Sequence, residues 1–411
     1  MSGVKALILA AGEGTRLRPL TSNTPKPLLL VAGKPFLTHV LEALKEAGIT
    51  EVSILVGWKA NRIKEFYGDG SELDMSITYL EQKERLGTAD AVRFAQKITD
   101  EPFVCLNGDV VVSGDDLKEM RRLHEKSGVT VMGAVEVEDP SNFGVLETKD
   151  GMLVRVIEKP VRPPSNLINA GMFVFTPEVF HAISHIGRSP RGEYEVTDAL
   201  TLLAEKEGVA LHILTTQWID VGRPWDLLKA NEIFMARLTR RVEGAVEPNA
   251  VLDNNVVVEK GARIRSGSYI SGPVYISKGC DIGPNCYIRP GCCFGPNVRI
   301  GASVEIKNSI VMAGTRIPHL TYVGDSIIGE RCNLGAGTKV ANLRFDDRTV
   351  KVSFNGKLID SGRRKLGVIM GDDVKTGINS MIDAGTIVFE NAVIGPGAAA
   401  KGTVGPGARV L

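Results

Sequence analysis

The sequence predicts an α/β domain followed by a parallel β-helix of hexapeptide repeats. Up to about residue 238, strand-like and helix-like segments alternate, the pattern of an α/β domain with a mainly parallel sheet. From about residue 250 a six-residue period takes over, which neither a helix nor an ordinary strand possesses. The length, 411 residues, exceeds what one ordinary core organises. The expected domains are 1–238 and 250–411, joined by a linker at 239–249 that carries Arg240, Arg241 and Pro248.

In the first domain, strands are expected at 5–10, 52–56, 103–106, 129–135 and 209–214. Helices are expected at 35–47, 87–98 and 115–126, the first with Pro35 in its opening turn and Gly48 just past its end. Directly after the first strand comes Leu9-Ala10-Ala11-Gly12-Glu13-Gly14-Thr15-Arg16-Leu17-Arg18-Pro19, then Pro25-Lys26-Pro27. Gly12 and Gly14 let the backbone turn and bring N–H groups to an anion. Arg16 and Lys26 add fixed positive charge. A nucleoside triphosphate is the natural guest. The dinucleotide fingerprint is excluded because Leu17 stands at its third glycine, and the P-loop because no Gly-Lys-Ser/Thr follows.

Two aspartates end strand-like runs: Asp109 in Asn107-Gly108-Asp109, and Asp220 in Trp218-Ile219-Asp220-Val221-Gly222. Open α/β sheets bind ligands at that end of their strands, and hard carboxylates suit a magnesium ion. Taken singly, each is also an ordinary turn aspartate.

In the second domain Leu252, Val258, Ile264, Ile270, Ile276, Ile282, Ile288, Phe294, Ile300 and Ile306 fall at six-residue steps. The period returns at Ile328, Leu334 and Val340, and at Ile382, Val388 and Ile394. Smaller residues stand two positions earlier, so Cys280, Cys286 and Cys292 read as core filler; they lack zinc-site spacing. Coils of this kind bury their faces on one another. The ladder is expected to break at Pro318, just before His319-Leu320-Thr321-Tyr322-Val323-Gly324-Asp325. Irregularity in a regular solenoid points to function, and a neutral imidazole accepts a proton near pH 7.

Net charge is +1, which gives no pull toward nucleic acid or an anionic membrane, so neither is expected as a partner. No apolar run approaches the roughly 20 residues of a membrane helix, and no signal peptide precedes the first strand. Six cysteines do not make a disulfide scaffold, so a reduced, cytoplasmic setting is expected.

The block from Leu9 to Pro27 resembles the signature of sugar-1-phosphate nucleotidylyltransferases, and the resemblance spans roughly residues 4 to 235. It implies a Rossmann-like nucleotidyltransferase domain in which Arg16 and Lys26 act on the reacting phosphates. Leu9, Ala10, Gly12 and Gly14 would hold the nucleotide, and Asp109 and Asp220 would carry Mg2+. Gln82 with Leu86-Gly87-Thr88-Ala89 resembles the base-reading segment, where an amide pairs with a pyrimidine edge and Gly87 admits the ring. Glu158-Lys159-Pro160 resembles the segment whose acid holds sugar hydroxyls and whose lysine holds the sugar phosphate. Asn169-Ala170-Gly171 resembles the sugar-contacting strand. Glu158 and Lys159 alone also read as a solvated charge pair.

The hexads are similar to those of trimeric left-handed β-helix acyltransferases. The segment at His319 resembles the acetyltransferase site of bifunctional N-acetylglucosamine-1-phosphate uridylyltransferases, of archaeal type. Arg289, in Ile288-Arg289-Pro290-Gly291, and Lys307, in Val304-Glu305-Ile306-Lys307, match that family's phosphate-binding cations. Tyr322 and Asn333 match its amino-sugar contacts, and Asn342 the asparagine beyond Gly335-Ala336-Gly337. His319 would be the general base, with a backbone N–H near His319 or Tyr322 stabilising the oxyanion. The family's Asn-Tyr-Asp-Gly is here Asn342-Leu343-Arg344-Phe345. An insertion follows that ends in Arg363-Arg364-Lys365, cations that suit either coenzyme A phosphates or a solvated loop.

The resemblance implies a homotrimer that acetylates glucosamine 1-phosphate, or its galacto epimer, with acetyl-CoA. It then couples the product to UTP, or dTTP, giving the nucleotide sugar and pyrophosphate. The alternatives are a monofunctional glucose-1-phosphate thymidylyl- or uridylyltransferase with a structural β-helix, and a catalytically dead regulatory subunit.

Overall fold

The computed structural model describes residues 4–354 and 356–411. The chain forms two compact units. The first comprises Met1–Glu13, Pro25–Leu28 and Phe36–Asp220; the second comprises Gly14–Thr24, Leu29–Pro35 and Val221–Leu411.

The first unit is built on a nine-stranded sheet. Its strand order is Ser76–Glu81, Glu51–Val56, Lys5–Ala10, Phe103–Asn107, Leu167–Phe175, Thr130–Glu136, Val209–Ile213, Met152–Glu158 and Gly144–Lys149. The five strands expected from sequence are all present, within about a residue of their limits at most ends. The first four strands in the sheet are parallel; Leu167–Phe175 runs antiparallel to both neighbours, so the sheet is mixed. Central strands must be apolar on both faces. Ala6, Leu7, Ile8, Val104, Cys105 and Leu106 accordingly have no exposure at all. Helices form at Phe36–Glu46 and Gly114–Ser127, and Gly48 takes the left-handed conformation that ends the first of them (φ 76°). The expected helix at 87–98 is instead an α-helix, Thr88–Arg93, tightening into a 3-10 turn, Phe94–Lys97.

The second unit is a left-handed parallel β-helix whose strands stack into three sheets of nine, nine and eight. The inward ladder from Val258 to Val404 forms one continuous apolar core, with Cys280, Cys286 and Cys292 inside it as expected. Two sequence expectations are corrected. The ladder does not break at Pro318. It slips by one residue at the corner after Ile306, so the next inward residue is Val311, five positions on; the six-residue step then resumes through Ile317 and Val323. A second five-residue step leads from Val323 to Ile328, from which the inward residues are again those read from sequence, Ile328, Leu334 and Val340. The linker expected at 239–249 is also absent as such: Arg241–Val242 and Ala245–Val246 already pair with Val256–Val258 and Arg263–Ile264. They form the first coil, which the sequence hides because they bury little.

The outward residues of the first sheet also form an apolar column: Val257, Tyr275, Cys293, Ile310, Ile327, Ile369 and Ile387 stack in register and are buried. Other parts of the same unit meet the β-helix. Gly33 N–H reaches Cys293 Sγ (3.1 Å), Ala32 N–H donates to Asn231 Oδ1 (2.9 Å), and Asn231 Nδ2 donates to Gly291 O (2.9 Å). Asn23 Nδ2 donates to Asp372 Oδ2 (3.2 Å). The insertion expected after Asn342 is a hairpin, Lys351–Phe354 with Lys357–Asp360.

Candidate functional site

The chain order of the first sheet switches direction between Lys5–Ala10 and Phe103–Asn107: the strand after the former lies on one side, the latter on the other. Such a switch opens a crevice at the carboxyl ends of the strands. Leu9, with Ala10 beside it, ends one edge of that crevice, and Gly108 N–H donates to Leu9 O (2.9 Å). A Cβ on Gly12 would meet nothing within 4 Å, so its backbone faces open space that a ligand can enter. The turn itself belongs to Gly14, at φ 66°, which leads into the 3-10 turn Thr15–Leu17 carrying Arg16. Thr21 Oγ1 donates to Gly14 O (2.7 Å) and closes that segment.

Lys26 is nearly buried and its Nζ lies 2.7 Å from Asp109 Oδ2. Asp109 and Asp220 are brought together by the main chain: Val110 bridges antiparallel to Asp220, and Val111 N–H donates to Ile219 O (3.0 Å). Asp109 and Asp220 thus sit on adjoining main-chain segments, and their hard carboxylate oxygens are the chemistry that suits Mg2+, which characteristically takes one or two protein carboxylates and completes its shell with substrate phosphates and water. Among the described residues no cluster of three or more His, Cys, Asp or Glu forms a closed metal cage.

Gln82 is buried, and its Nε2 donates to Asp90 Oδ2 (2.9 Å), which fixes the orientation of the amide. At Gly87 a Cβ would lie 2.4 Å from Tyr194 O, so the passing chain itself requires glycine there. Thr88 Oγ1 accepts from Val196 N–H (2.9 Å) and thereby holds the start of the helix Val196–Lys206. Glu158 Oε1 lies 3.2 Å from Arg191 Nη2 and 3.6 Å from Lys159 Nζ. Lys159 sits at φ 47°, a conformation uncommon outside glycine, with its N–H on Phe143 O (2.9 Å). Asn169 Oδ1 accepts from Gly171 N–H (2.8 Å) where the strand register shifts. A Cβ on Gly171 would meet the side chain of Asn107 at 2.5 Å.

The second cluster lies on the third sheet of the β-helix. Arg289 and Lys307 follow Ile288 and Ile306, which are register partners one coil apart, so the two cations stand in neighbouring rows. Arg289 Nη1 reaches Glu305 Oε1 (3.0 Å). Lys307 Nζ reaches Asp325 Oδ2 (3.1 Å). Asp325 is 2 % exposed, and its other donors are Asn308 Nδ2 (3.0 Å) and Asn342 Nδ2 (2.6 Å). Burying a carboxylate is costly unless it is paired, and these three donors pair it. Asn342 Nδ2 also lies 3.3 Å from Tyr322 Oη. Burial raises the Tyr322 hydroxyl's pKa, and the Asp325 and Glu305 charges raise it further.

His319 is exposed at the end of Arg316–His319, one corner before Tyr322–Gly324. Asn333, also exposed, pairs in register with Arg316. Tyr322 N–H donates to Thr338 O (3.2 Å) and is therefore committed to the ladder rather than to an oxyanion. Arg363 donates to Glu232 (2.6 Å) and Arg364 to Asp347 (2.7 Å), so two of the three insertion cations hold the chain's own carboxylates. The residues that sequence reasoning passed over are Asp90, Arg191 and above all Asp325. The last was read only as part of a segment, because nothing in a lone turn aspartate signals burial with three donors.

Comparison with known proteins covers both halves. The Nucleotidyl transferase family model matches residues 5–237, and the GMPPB C-terminal domain model matches 270–395. The chain is 44% identical over 391 residues to the bifunctional protein GlmU of Methanocaldococcus jannaschii, covering 95% of this chain and 93% of that one. It is 40% identical over 406 residues to a bifunctional sugar-1-phosphate nucleotidylyltransferase/acetyltransferase of Sulfurisphaera tokodaii, covering 98% and 99%. Among solved structures, a UDP-glucose pyrophosphorylase in complex with UDP-glucose matches 57% of this chain and 99% of its own at 25% identity, with a TM-score of 0.52.

Proposed function

Since the chain belongs to the nucleotidyl transferase family, and within it to the bifunctional sugar-1-phosphate nucleotidylyltransferase/acetyltransferases, we propose that it acetylates glucosamine 1-phosphate and couples the product to UTP. The observation that carries the reading is the buried Asp325 with Lys307, Asn342 and Tyr322 gathered about it. A scaffold has no use for a desolvated charge cluster, which costs stability unless every partner is in place.

In the acetyl step the sugar amine attacks the thioester carbonyl of acetyl-CoA. The C–N bond forms, the C–S bond breaks, and coenzyme A leaves as the thiolate. His319 takes the amine proton. Arg289 and Lys307 hold the sugar phosphate, and Tyr322, Asn333 and Asn342 orient the sugar. A trough of about 430 Å3 lined by Tyr322, Lys339, Ala341, Met381, Asp383 and Lys401 supports a place for the acyl carrier's arm.

In the nucleotidyl step the sugar phosphate oxygen attacks the α-phosphorus of UTP and pyrophosphate departs. Arg16 and Lys26 neutralise the phosphates, the backbone at Leu9, Ala10, Gly12 and Gly14 receives them, and Asp109 and Asp220 hold Mg2+. The ion supplies charge neutralisation of the developing pyrophosphate. Gln82, with its Nε2 committed to Asp90, presents its carbonyl oxygen to the N3–H of uracil, a contact thymine makes equally well. Gly87 and Thr88 shape that segment. Glu158 takes sugar hydroxyls, Lys159 the sugar phosphate, and Asn169 and Gly171 the sugar ring.

We assign the working form as a homotrimer through the β-helix, in the cytoplasm. Support comes from the exposed Tyr269, Tyr287 and Met381 on the sheet that carries the acetyl cluster, and from six free, buried cysteines. The decisive experiment crosses UTP and dTTP with N-acetylglucosamine 1-phosphate and glucose 1-phosphate, and acetyl-CoA with glucosamine and galactosamine 1-phosphates. The expected best pairs are UTP with the acetylated sugar, and acetyl-CoA with glucosamine 1-phosphate. Absence of any N-acetyl product overturns the acetyl step.

A further inference from the structure

Asp116 lies in the first turn of the helix Gly114–Ser127 and is 1 % exposed. Its two oxygens accept from four donors, one on the strand Val209–Ile213 and three on the segment that follows it. Oδ1 takes His212 Nε2 (2.9 Å), Thr215 N–H (3.0 Å) and Thr215 Oγ1 (3.0 Å); Oδ2 takes Thr216 Oγ1 (2.6 Å). Burial works against the carboxylate charge, but these donors outweigh it and hold the pKa below its ordinary value.

The clamped segment runs on to Trp218, Ile219 and Asp220. Trp218 Nε1 donates to Ala170 O (2.9 Å), and the Trp218 ring meets Phe143 edge-on at 5.8 Å. Phe143 O receives the Lys159 N–H. Ile219 and Asp220 then pair with Val111 and Val110, next to Asp109. One strut therefore touches the Asp109 loop, the Asn169–Gly171 bulge and Phe143, whose carbonyl holds the Lys159 turn, and Asp116 anchors its near end. The anchor shares its helix with the Asp109 loop, which enters that helix through Ser113.

We propose that Asp116 is a positioning residue for nucleotidyl transfer, setting the segment that presents Asp220 beside Asp109. The inference rests on the reading of Asp109 and Asp220 as the metal carboxylates. Outer groups that orient metal-binding side chains typically control affinity by tenfold or more.

The test is direct Mn2+ binding in the presence of UTP, followed by the paramagnetic signal of free Mn2+, together with both activities of the full-length protein. Asp116→Asn keeps the shape but turns an amide against donors. It should weaken Mn2+ binding about tenfold and lower nucleotidyl kcat, with acetyl transfer within twofold of the parent. Thr216→Val, which removes one donor, should give a smaller shift in the same direction, and it decides the matter if Asp116→Asn does not fold. Parental Mn2+ affinity and parental nucleotidyl kcat in the folded variant overturn the proposal, whatever the change in melting temperature. Asp220→Asn separates the two levels. If it loses Mn2+ while Asp116→Asn does not, the positioning role fails alone; if it retains Mn2+, the underlying assignment of the carboxylates fails.

Discussion

Arg289 and Lys307 stand in neighbouring rows of one sheet because one coil of chain separates them; their partners Glu305 and Asp325 come from adjacent coils. In the α/β unit Lys26 pairs with Asp109, and the segments carrying Asp109 and Asp220 adjoin, for another reason. A main-chain bridge joins segments separated by more than a hundred residues, and a buried carboxylate braces one of them. In the solenoid, spacing along the chain is spacing in space, so a change there reaches only the coils above and below. In the crevice, position depends on how several distant loops close together.

The contrast is broken or sharpened by substitution. Asp220→Ala should lower nucleotidyl transfer on the order of 10^3-fold, the scale of several kcal/mol of lost charge stabilisation, and leave acetyl transfer intact. A parallel fall in acetyl transfer would mean the sites are not independent. His319→Ala should lower acetyl transfer by about 10^2-fold or more, while nucleotidyl transfer with supplied N-acetylglucosamine 1-phosphate stays at the parental rate. Asp325→Ala strips the shared acceptor from Lys307, Asn308 and Asn342. It should raise the KM for the amino-sugar phosphate about tenfold and cost about 1–3 kcal/mol in denaturant unfolding. If nucleotidyl transfer falls with it, the damage has spread beyond neighbouring coils.

A smaller effect concerns acid. The native pKa of Asp116 lies below its unfolded value, so its stabilisation is complete above the ordinary aspartate range near 4 and is lost as pH falls through the native value. Urea midpoints measured from pH 6 downward should therefore drop less steeply for Asp116→Asn than for the parent. The smallest expected signal is a silence. Burial pushes the thiols of Cys280, Cys292, Cys293 and Cys332 up to about 12, and raises Cys105 and Cys286 as well. A thiol reagent at pH 8 should find no reactive cysteine until the protein unfolds, and then six.

The same contrast explains what could be read from sequence. The hexads announced the β-helix and its core because each coil repeats the last. They failed at Ile306, where a single missing residue moved the inward position from Met312 to Val311 and made Pro318 look irregular when Ile317 was in place. Lys307 and Asn308 occupy that shortened corner, and both reach Asp325. In the α/β unit, the opening glycines and Lys26 were legible as a block of adjacent residues. Asp90 behind Gln82 and Asp116 behind the Asp220 segment were not, because a bracing carboxylate has no local pattern; only the folded chain shows whom it faces. Gly87 was legible as a required glycine, though its crowding by Tyr194, far along the chain, was not.

Gly14–Thr24 has a last consequence. This stretch is written inside the nucleotidyltransferase portion of the gene, yet it packs with the β-helix: Asn23 bonds Asp372, and Pro19 lies where a Cβ on Gly371 would touch it at 2.9 Å. Modules that look separable on paper are interleaved in the folded chain. A gene cut after residue 238 would keep every codon of Gly14–Thr24 and discard the surface on which that stretch packs. Swapping this catalytic module onto another tail would thus carry a hidden requirement, one that travels with the tail rather than with the module.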